Sequence, residues 1–183
     1  MCIPVKDVLV CDTKGIISRL RYDELNDEKR RMLAFTNRHD RTGDLRDALS
    51  GADVFIGVSV ANLLTLAEIR LMAQDPIVFA LANPDPEITP DEAHAGGAAI
   101  VCTGRSDYPN QVNNVLAFPG VFRGALDSSA LRITEHMKIA AAQAIAACVP
   151  DPEPERVIPD PLQKDVAQRV AEAVANAWRE ETE

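Results

Sequence analysis

Four short apolar runs alternate with charged, helix-like segments along this chain. The runs are rich in valine, isoleucine, leucine and alanine and cover residues 8–12, 53–58, 76–81 and 98–103. Runs of this length, separated by helical segments, are typical of buried parallel strands joined by crossover helices. Such connections bring the carboxyl ends of the strands to one edge of the sheet, where ligands bind. The sequence therefore predicts an α/β fold with a doubly wound parallel sheet flanked by helices.

Capping residues predict where two of the connecting helices begin. Thr65 is followed by a glutamate three residues later, which is the spacing of a capping box, so we expect a helix that continues through Met72. Thr89 repeats this spacing and has Pro90 at the first helical position. The glycines at residues 96–97 should end that second helix.

The remaining helices are predicted from charge and periodicity. Short charged helices are expected at residues 26–35 and 44–49, and alanine-rich or apolar ones at 121–126 and 135–148. Five prolines within residues 150–161 predict a stiff, extended connection. Beyond it, Val166, Val170, Val174 and Trp178 follow each other at a spacing of four. This stripe predicts a terminal helix, within residues 162–183, that docks on the preceding residues 1–150.

Composition and charge exclude several classes of function. A chain of 183 residues with 46% hydrophobic residues can build one ordinary core, and its net charge of −9 opposes binding to nucleic acid. Its apolar runs are shorter than the roughly 18 to 20 residues that cross a bilayer, and no signal-peptide pattern is seen at the start. We therefore expect a cytoplasmic protein with no membrane partner.

The cysteines and histidines do not form a recognisable metal or catalytic pattern. Cys2, Cys11, Cys102 and Cys148 are widely spaced, which favours free, buried thiols over metal ligands. The three histidines, His39, His94 and His136, are isolated among polar or helical neighbours. We interpret all three as surface residues, so no metal site is predicted in this chain.

Polar residues at the ends of the predicted strands are the candidates for ligand binding. Asp12 ends the first run, and an acidic group at this place in a dinucleotide-binding fold accepts hydrogen bonds from ribose hydroxyls. A turn aspartate is the alternative. Val58 and Ser59 follow the second run, where a backbone turn before a helix can pass close to a nucleotide. A purely structural turn is the other interpretation.

Three asparagines complete the candidate set. Asn83 precedes Pro84 after the third run, and Asn113 and Asn114 lie between a polar turn and an apolar segment. We expect these amides to be buried or half-buried, where an unpaired amide costs roughly 1 to 3 kcal/mol, so they should have a polar ligand. Consecutive amides can point to opposite sides of an extended backbone, so that one of the pair faces the ligand and the other holds the loop. Ordinary asparagine turns are the alternative.

These segments resemble the NAD(P)-binding domain of malic enzymes. The resemblance rests on residues 12–15 (D-T-K-G), 79–84 (F-A-L-A-N-P), 104–120 (G-R-S-D-Y-P-N-Q-V-N-N, then F-P-G) and 157–161 (V-I-P-D-P). The resemblance implies NAD or NADP as cofactor, with Asp12 on the adenosine ribose, Val58 and Ser59 lining the adenosine side, and Asn83 contacting the cofactor. It also implies that Asn113 and Asn114 lie near the nicotinamide ribose and the malate carboxylate, with one of the two amides facing the reacting carbon. Arg105, Asp107 and Tyr108 are given a supporting role.

Other features of the family have no counterpart here. Malic enzymes need a lysine base, a tyrosine acid and carboxylate ligands for Mg²⁺ or Mn²⁺, and they carry a G-x-G-x-x-G loop after a strand. Residues 1–6 resemble the end of the helix that follows this loop. We therefore expect an incomplete Rossmann-type fold that lacks the first central strand and contributes no catalytic residue or metal ligand.

The resemblance implies one function and leaves alternatives. A complete malic enzyme oxidatively decarboxylates (S)-malate to pyruvate and CO₂ and reduces NAD(P), and this chain would be its cofactor-binding part, inactive alone. Its partner would be the missing amino-terminal half or another malic enzyme subunit, and a homo-oligomer is expected for the complete enzyme. The alternative is a non-catalytic remnant or interaction module that docks on an intact malic enzyme. A fragment of a different hydroxy-acid or amino-acid dehydrogenase is the third possibility.

The sequence leaves the choice between NAD and NADP open. Asp12 suits the unphosphorylated ribose of NAD, whereas Lys14 would suit the 2′-phosphate of NADP.

Overall fold

A three-stranded parallel sheet forms the centre of the first packing layer. The computed structural model describes residues 5–182. Strands β3 (Val54–Gly57), β4 (Ile77–Ala80) and β5 (Ile100–Thr103) lie in that order, so β4 is the middle strand. The register aligns Gly57 with Ala80 and Ala80 with Thr103, so the three carboxyl ends lie side by side. The predicted runs at 53–58, 76–81 and 98–103 are therefore confirmed as parallel strands.

The helix before β3 and the two helices between the strands bury one face against the sheet. They are α2 (Leu45–Leu49), α3 (Leu66–Ile69) and α4 (Pro90–Gly96). Leu49, Ile69 and Ala93 pack with the strand residues Phe55 and Val78 in one buried cluster. Their burial against β-branched and aromatic strand residues holds the short helices in place, because helices of this length are marginal without tertiary contacts.

The capping predictions are mostly confirmed. Thr65 and Glu68 form the complete capping box at the start of α3, and Thr89 accepts a hydrogen bond from the Glu92 backbone at the start of α4. The predicted end of α3 at Met72 is wrong, since the helix ends at Ile69. After Ile69, the N–H groups of Leu71 and Met72 donate to carbonyls three residues earlier, and the Leu71 carbonyl accepts from the Gly51 N–H. A longer α-helix would need these backbone groups for bonds between residues four apart.

The prediction of a buried parallel strand over residues 8–12 is wrong. Only β1 (Cys11–Asp12) is a strand, and it pairs antiparallel with β2 (Gly15–Ile16). Before β1, the carbonyls of Val8 and Val10 accept from the backbone N–H groups of Asn37 and Ile17, respectively. Val8 is 44% exposed. These backbone groups find partners in loops, because in residues 5–182 no strand of the parallel sheet lies beside them.

Three longer helices form a second packing layer. After the short charged helix α1 (Asp27–Met32) and the sheet, the chain forms α5 (Phe118–Asp127), α6 (Glu135–Ala146) and α7 (Val166–Thr182). Val166, Val170 and Val174 of α7 are buried against residues such as Met137, and Trp178 is partly buried against the same cluster. Gly120 and Gly124 of α5 allow close approach, since a β-carbon at either would lie within 2.5 Å of α7 atoms.

Three of the cysteines and all three histidines lie within the described residues. Cys102 is buried, Cys11 and Cys148 are half-buried, and all three are free thiols. Burial raises the pKa of the Cys102 thiol to about 11, which makes it a poor nucleophile. The histidines His39, His94 and His136 are all exposed, as predicted.

The predictions for the first six residues lie mostly outside the described part of the chain. Cys2 and the first four of the residues 1–6 compared with a helix end lie outside the described part, and Val5 and Lys6 are not helical. None of the helices within residues 5–182 is long and apolar enough to cross a membrane.

Candidate functional site at the carboxyl edge of the sheet

The candidate residues that follow β3 and β4 lie at one edge of the sheet. Val58 and Ser59 follow directly after β3, and Asn83 lies three residues after β4. All three residues are exposed to solvent, and Val58 is 78% exposed. Because the strand ends are in register, the loops that carry these residues are neighbours. The peptide bond between Asn83 and Pro84 is cis.

Glu87 connects these two loops, although the sequence reasoning did not single it out. Its side chain is completely buried. One carboxylate oxygen accepts from the Ser59 backbone N–H at 2.8 Å, and the other accepts from the Ala82 N–H at 3.0 Å. The signal in the sequence was a charged residue between the apolar Pro86 and Ile88, since an unpaired carboxylate is rarely buried.

The loop after β5 is connected to the loop after β4 by an arginine. The Arg105 guanidinium lies 3.2 Å from Asp85 and 2.7 Å from Asp107, and it stacks over the Tyr108 ring at 5.5 Å from the centroid. The hydrogen bond from Arg105 holds the pKa of Asp107 below its usual value. Arg105 thus links the loop after β4 to the loop after β5, and exposed pairs of this kind contribute roughly 0 to 1 kcal/mol.

The three candidate asparagines are exposed, so the expectation of buried or half-buried amides is wrong. Asn113 uses its side-chain oxygen to accept from the Val115 N–H, which caps the short 3-10 helix Asn114–Leu116. These loops leave the sheet and turn toward solvent, so the amides keep access to water. The energetic argument from a buried unpaired amide therefore does not apply to them.

The buried amide of this region is Asn110, which the sequence reasoning also missed. It is 7% exposed, and its nitrogen donates to the Pro154 carbonyl at 2.7 Å and to the Val101 carbonyl at 3.3 Å. Its oxygen accepts from the Val157 N–H at 2.8 Å. Asn110 thus holds the proline-rich connection against the loop that follows β5.

Asp12 lies in the separate β1–β2 hairpin and is surrounded by cations. Its carboxylate is 2.9 Å from Arg21 and 2.7 Å from Lys29, and its side chain is only 14% exposed. Burial of this carboxyl opposes its ionisation. The hydrogen bonds from Lys29, the Lys14 backbone and Arg21 outweigh that effect and lower the pKa of Asp12 from 3.8 to about 2. The Lys14 ammonium itself pairs with Glu24 at 2.9 Å.

Asp12 is therefore not on a strand of the parallel sheet, contrary to the expectation that all candidates end strands of one sheet. Its carboxylate is ionised at neutral pH and can accept hydrogen bonds. Its lone pairs already serve two side-chain cations and one backbone N–H.

Comparison with known proteins identifies the family. A model of the malic enzyme NAD-binding domain matches residues 4–178. The chain belongs to this malic enzyme family. The NAD-binding domain is 54% identical to the bifunctional malic/malolactic enzyme of Bacillus subtilis, over 96% of this chain and 43% of that protein. It is 46% identical to the NADP-dependent malic enzyme of Rhizobium meliloti, over 96% of this chain and 25% of that protein.

A solved structure agrees with the fold of this malic enzyme domain. The crystal structure of the NAD-dependent malic enzyme from Thermotoga maritima superposes with a TM-score of 0.89 at 46% identity, covering 93% of this chain and 45% of that chain. The chain thus spans less than half the length of these relatives. The predicted family, the Rossmann-type α/β class and the NAD(P) cofactor class are confirmed.

Proposed function

We propose that this chain is the cofactor-binding part of a cytoplasmic malic enzyme that converts (S)-malate to pyruvate and CO₂ with reduction of NAD or NADP. The main support is the carboxyl edge of the sheet in a chain of this family. There, the exposed polar residues Ser59 and Asn83 stand on neighbouring loops. Ligands of open α/β sheets bind at this edge.

The polar side chains on the loops after β3, β4 and β5 suit part of a dinucleotide. The amides of Asn83, Asn113 and Asn114 and the hydroxyl of Ser59 offer donors and acceptors for ribose hydroxyls and a carboxamide, and all four are exposed. Hydride transfer from C2 of malate is the chemistry that nicotinamide supplies when it is bound. In this proposal, the residues of the chain bind and orient the cofactor but do not move protons.

Metal chemistry is not assigned to this chain. Within the described residues, no three histidine, cysteine, aspartate or glutamate side chains come together in a group that could hold a metal ion. The donor set therefore does not fit Mg²⁺ or Mn²⁺, and no step of the proposed function is derived through a metal. We propose that the base, the acid and the metal ligands belong to the rest of the enzyme, and that the chain alone is inactive.

One edge of β3 is free to pair with another strand, which is evidence for a partner of this chain. The Asp53 carbonyl accepts from the N–H of Ile77, the first residue of β4, and the Gly57 carbonyl accepts from the N–H of Leu81, just after β4. The backbone groups of Val54 and Ile56 therefore point to the other side of β3. In residues 5–182, no strand pairs with that side. The side chains of Val54 and Ile56 are 46% and 65% exposed. An apolar strand with unpaired N–H and C=O groups is a template for another strand. We propose that the amino-terminal part of the enzyme, or another malic enzyme subunit, supplies it.

The choice between NAD and NADP depends on the cations around Asp12. We propose NAD, because Arg21 and Lys29 are already paired with Asp12 and are not free to bind a 2′-phosphate. Substitution of Asp12 by alanine leaves Arg21 and Lys29 without this carboxylate, so the ratio of the NADP to the NAD dissociation constant should fall. An unchanged ratio would remove Asp12 from the proposed adenosine site.

Reconstitution tests the proposed function. Calorimetry would measure binding of NAD and NADP to the purified chain, alone and mixed with the amino-terminal part of the Bacillus subtilis relative. Malate-dependent formation of NAD(P)H would be followed in the same samples. We expect turnover only in the mixture, and an Asn83→Ala variant should weaken cofactor binding while an exposed-site control, Glu153→Gln, should not.

The outcomes separate the candidate functions. Turnover in the mixture supports a two-part malic enzyme. Association with the amino-terminal part without cofactor binding or turnover would refute the enzymatic proposal and favour the non-catalytic module, for which the free β3 edge is the specific observation. Turnover by the chain alone would refute the proposed division of labour.

A further inference from the structure

Glu87 is a buried carboxylate without a cationic partner in the described chain. It is 0% exposed, and none of the ion pairs within residues 5–182 includes it. Its two oxygens instead accept from the backbone N–H groups of Ser59 and Ala82. A buried charge is costly unless hydrogen bonds satisfy it, so the two N–H groups hold the carboxylate and the carboxylate holds them.

The surrounding backbone is shaped around this carboxylate. A β-carbon on Gly57, the last residue of β3, would lie 2.5 Å from the Glu87 carboxyl group. The carbonyls of Pro86 and Glu87 accept from the N–H groups of Asn62 and Leu64 at 3.0 and 2.9 Å. The whole loop after β3 therefore lies along the segment that follows Asn83 and Pro84.

We propose that Glu87 is a positioning residue that fixes the loop bearing Ser59 relative to the loop bearing Asn83, so that both meet one dinucleotide. This role rests on the proposed function, because Glu87 itself is completely buried and cannot touch the cofactor. Each carboxylate oxygen is bonded to one loop. Loss of the Ser59 bond frees the part of the loop after β3 that the bonds of Asn62 and Leu64 do not reach, and loss of the Ala82 bond frees Glu87 from the start of the loop that bears Asn83.

A glutamine at this position cannot replace the carboxylate. Its side chain has the same length, but it offers one acceptor oxygen and an NH₂ group that can only donate. One of the two backbone donors would then face another donor at about 3 Å. Glu87→Gln therefore separates the hydrogen-bond pattern from side-chain volume. Glu153→Gln, at an exposed position, is the matched control for the loss of one negative charge.

The first measurement is spectroscopic and independent of any cofactor. Amide hydrogen exchange and amide proton shifts of Ser59 and Ala82 would be recorded by nuclear magnetic resonance in the wild-type chain and both variants. In the wild type, the exposed Ser59 should exchange roughly tenfold or more slowly than Val60, whose N–H has no partner within residues 5–182. In Glu87→Gln, one of the two amide signals should shift toward the position of an unbonded amide.

The second measurement concerns the cofactor. With the amino-terminal part supplied, the dissociation constant for NAD should rise by roughly tenfold or more in Glu87→Gln and stay unchanged in Glu153→Gln. Thermal midpoints measured in parallel would separate this loss from global unfolding. Should Glu87→Gln fail to fold, wild-type exchange at Ser59 still decides whether the carboxylate holds that loop.

Each result has a distinct meaning. Fast exchange at Ser59 in the wild type, or unchanged amide signals in Glu87→Gln, overturns the positioning role. Altered amide signals with unchanged cofactor affinity also overturn it, because the loops would then be coupled without any effect on binding. If the wild-type chain binds no NAD under any condition, the proposed function fails, and the amide data show separately whether Glu87 couples the loops.

Discussion

Replacement of Gly124 by alanine tests how closely α5 and α7 pack. An added β-carbon at this position would lie 2.4 Å from the Ala171 carbonyl oxygen and 2.8 Å from the Val174 β-carbon. Neither atom is the far end of a flexible side chain, so the two helices must move apart. The nearby Val174 is completely buried in the second packing layer, which makes such a shift costly.

The magnitude follows from two opposing contributions. Alanine in a helix interior is favoured over glycine by about 1 kcal/mol. Overpacking a buried contact typically costs roughly 1 to 3 kcal/mol, and a contact against backbone favours the upper end. We therefore expect Gly124→Ala to lower the free energy of unfolding by about 2 kcal/mol. For a domain of this size, that corresponds to a fall in melting temperature of roughly 4 to 8 °C.

Urea denaturation of the purified chain, followed by circular dichroism, measures this change. Gly104→Ala is the matched control, because a β-carbon at Gly104 meets no atom within 4 Å. The control should leave the free energy of unfolding unchanged or raise it by up to about 1 kcal/mol. If Gly124→Ala proves as stable as Gly104→Ala, the close approach of α5 and α7 is refuted.

Three further predictions follow from individual contacts. Asp12 has a folded pKa of about 2, below its usual 3.8, so its stabilisation is complete above pH 3.8 and is lost as the pH falls toward 2. Asp12→Asn should therefore lower the free energy of unfolding by about 2 kcal/mol at pH 7. The unfolding free energies of the wild type and the variant, measured by denaturation at a series of pH values, should converge near pH 2. A constant difference across this range would contradict the pairing with Arg21 and Lys29. Asn110→Ala should cost roughly 1 to 3 kcal/mol and speed proteolytic cleavage of the proline-rich connection, because it removes the three bonds of a buried amide; unchanged cleavage would show that these bonds do not hold the connection. Ile56 is 65% exposed, so Ile56→Lys should change the free energy of unfolding by less than about 0.5 kcal/mol. The same change should weaken association with the amino-terminal part of the enzyme, as measured by sedimentation. Undiminished association would exclude the β3 edge as the partner site.

Local signals in the sequence predicted most of the regular structure. The three apolar runs that became β3, β4 and β5 were recognised by length and β-branched content, and the Thr65 capping box was confirmed because its partners lie only three residues apart. The stripe of Val166, Val170 and Val174 likewise predicted the buried face of α7. Each of these patterns lies within one element, so no knowledge of distant residues was needed.

The errors concern partners that are distant in sequence. Residues 8–12 have the composition of a buried strand, but composition does not tell whether a neighbouring strand is present to accept the hydrogen bonds. Asn83, Asn113 and Asn114 were expected to be at least half-buried, yet burial depends on which elements cover a loop. Glu87 escaped notice because its two donors, Ser59 and Ala82, lie on two different loops.

The sequence by itself determined the family, the α/β class, the helix caps and the stripes that turn toward a core, because short-range hydrogen bonds and side-chain periodicity depend on neighbouring residues. Only the tertiary structure decided that β1 forms a hairpin, that Asp12 is held by Arg21 and Lys29, and that Glu87 couples two loops. Hydrogen-bond partners and desolvation are set by chain segments that meet only after folding.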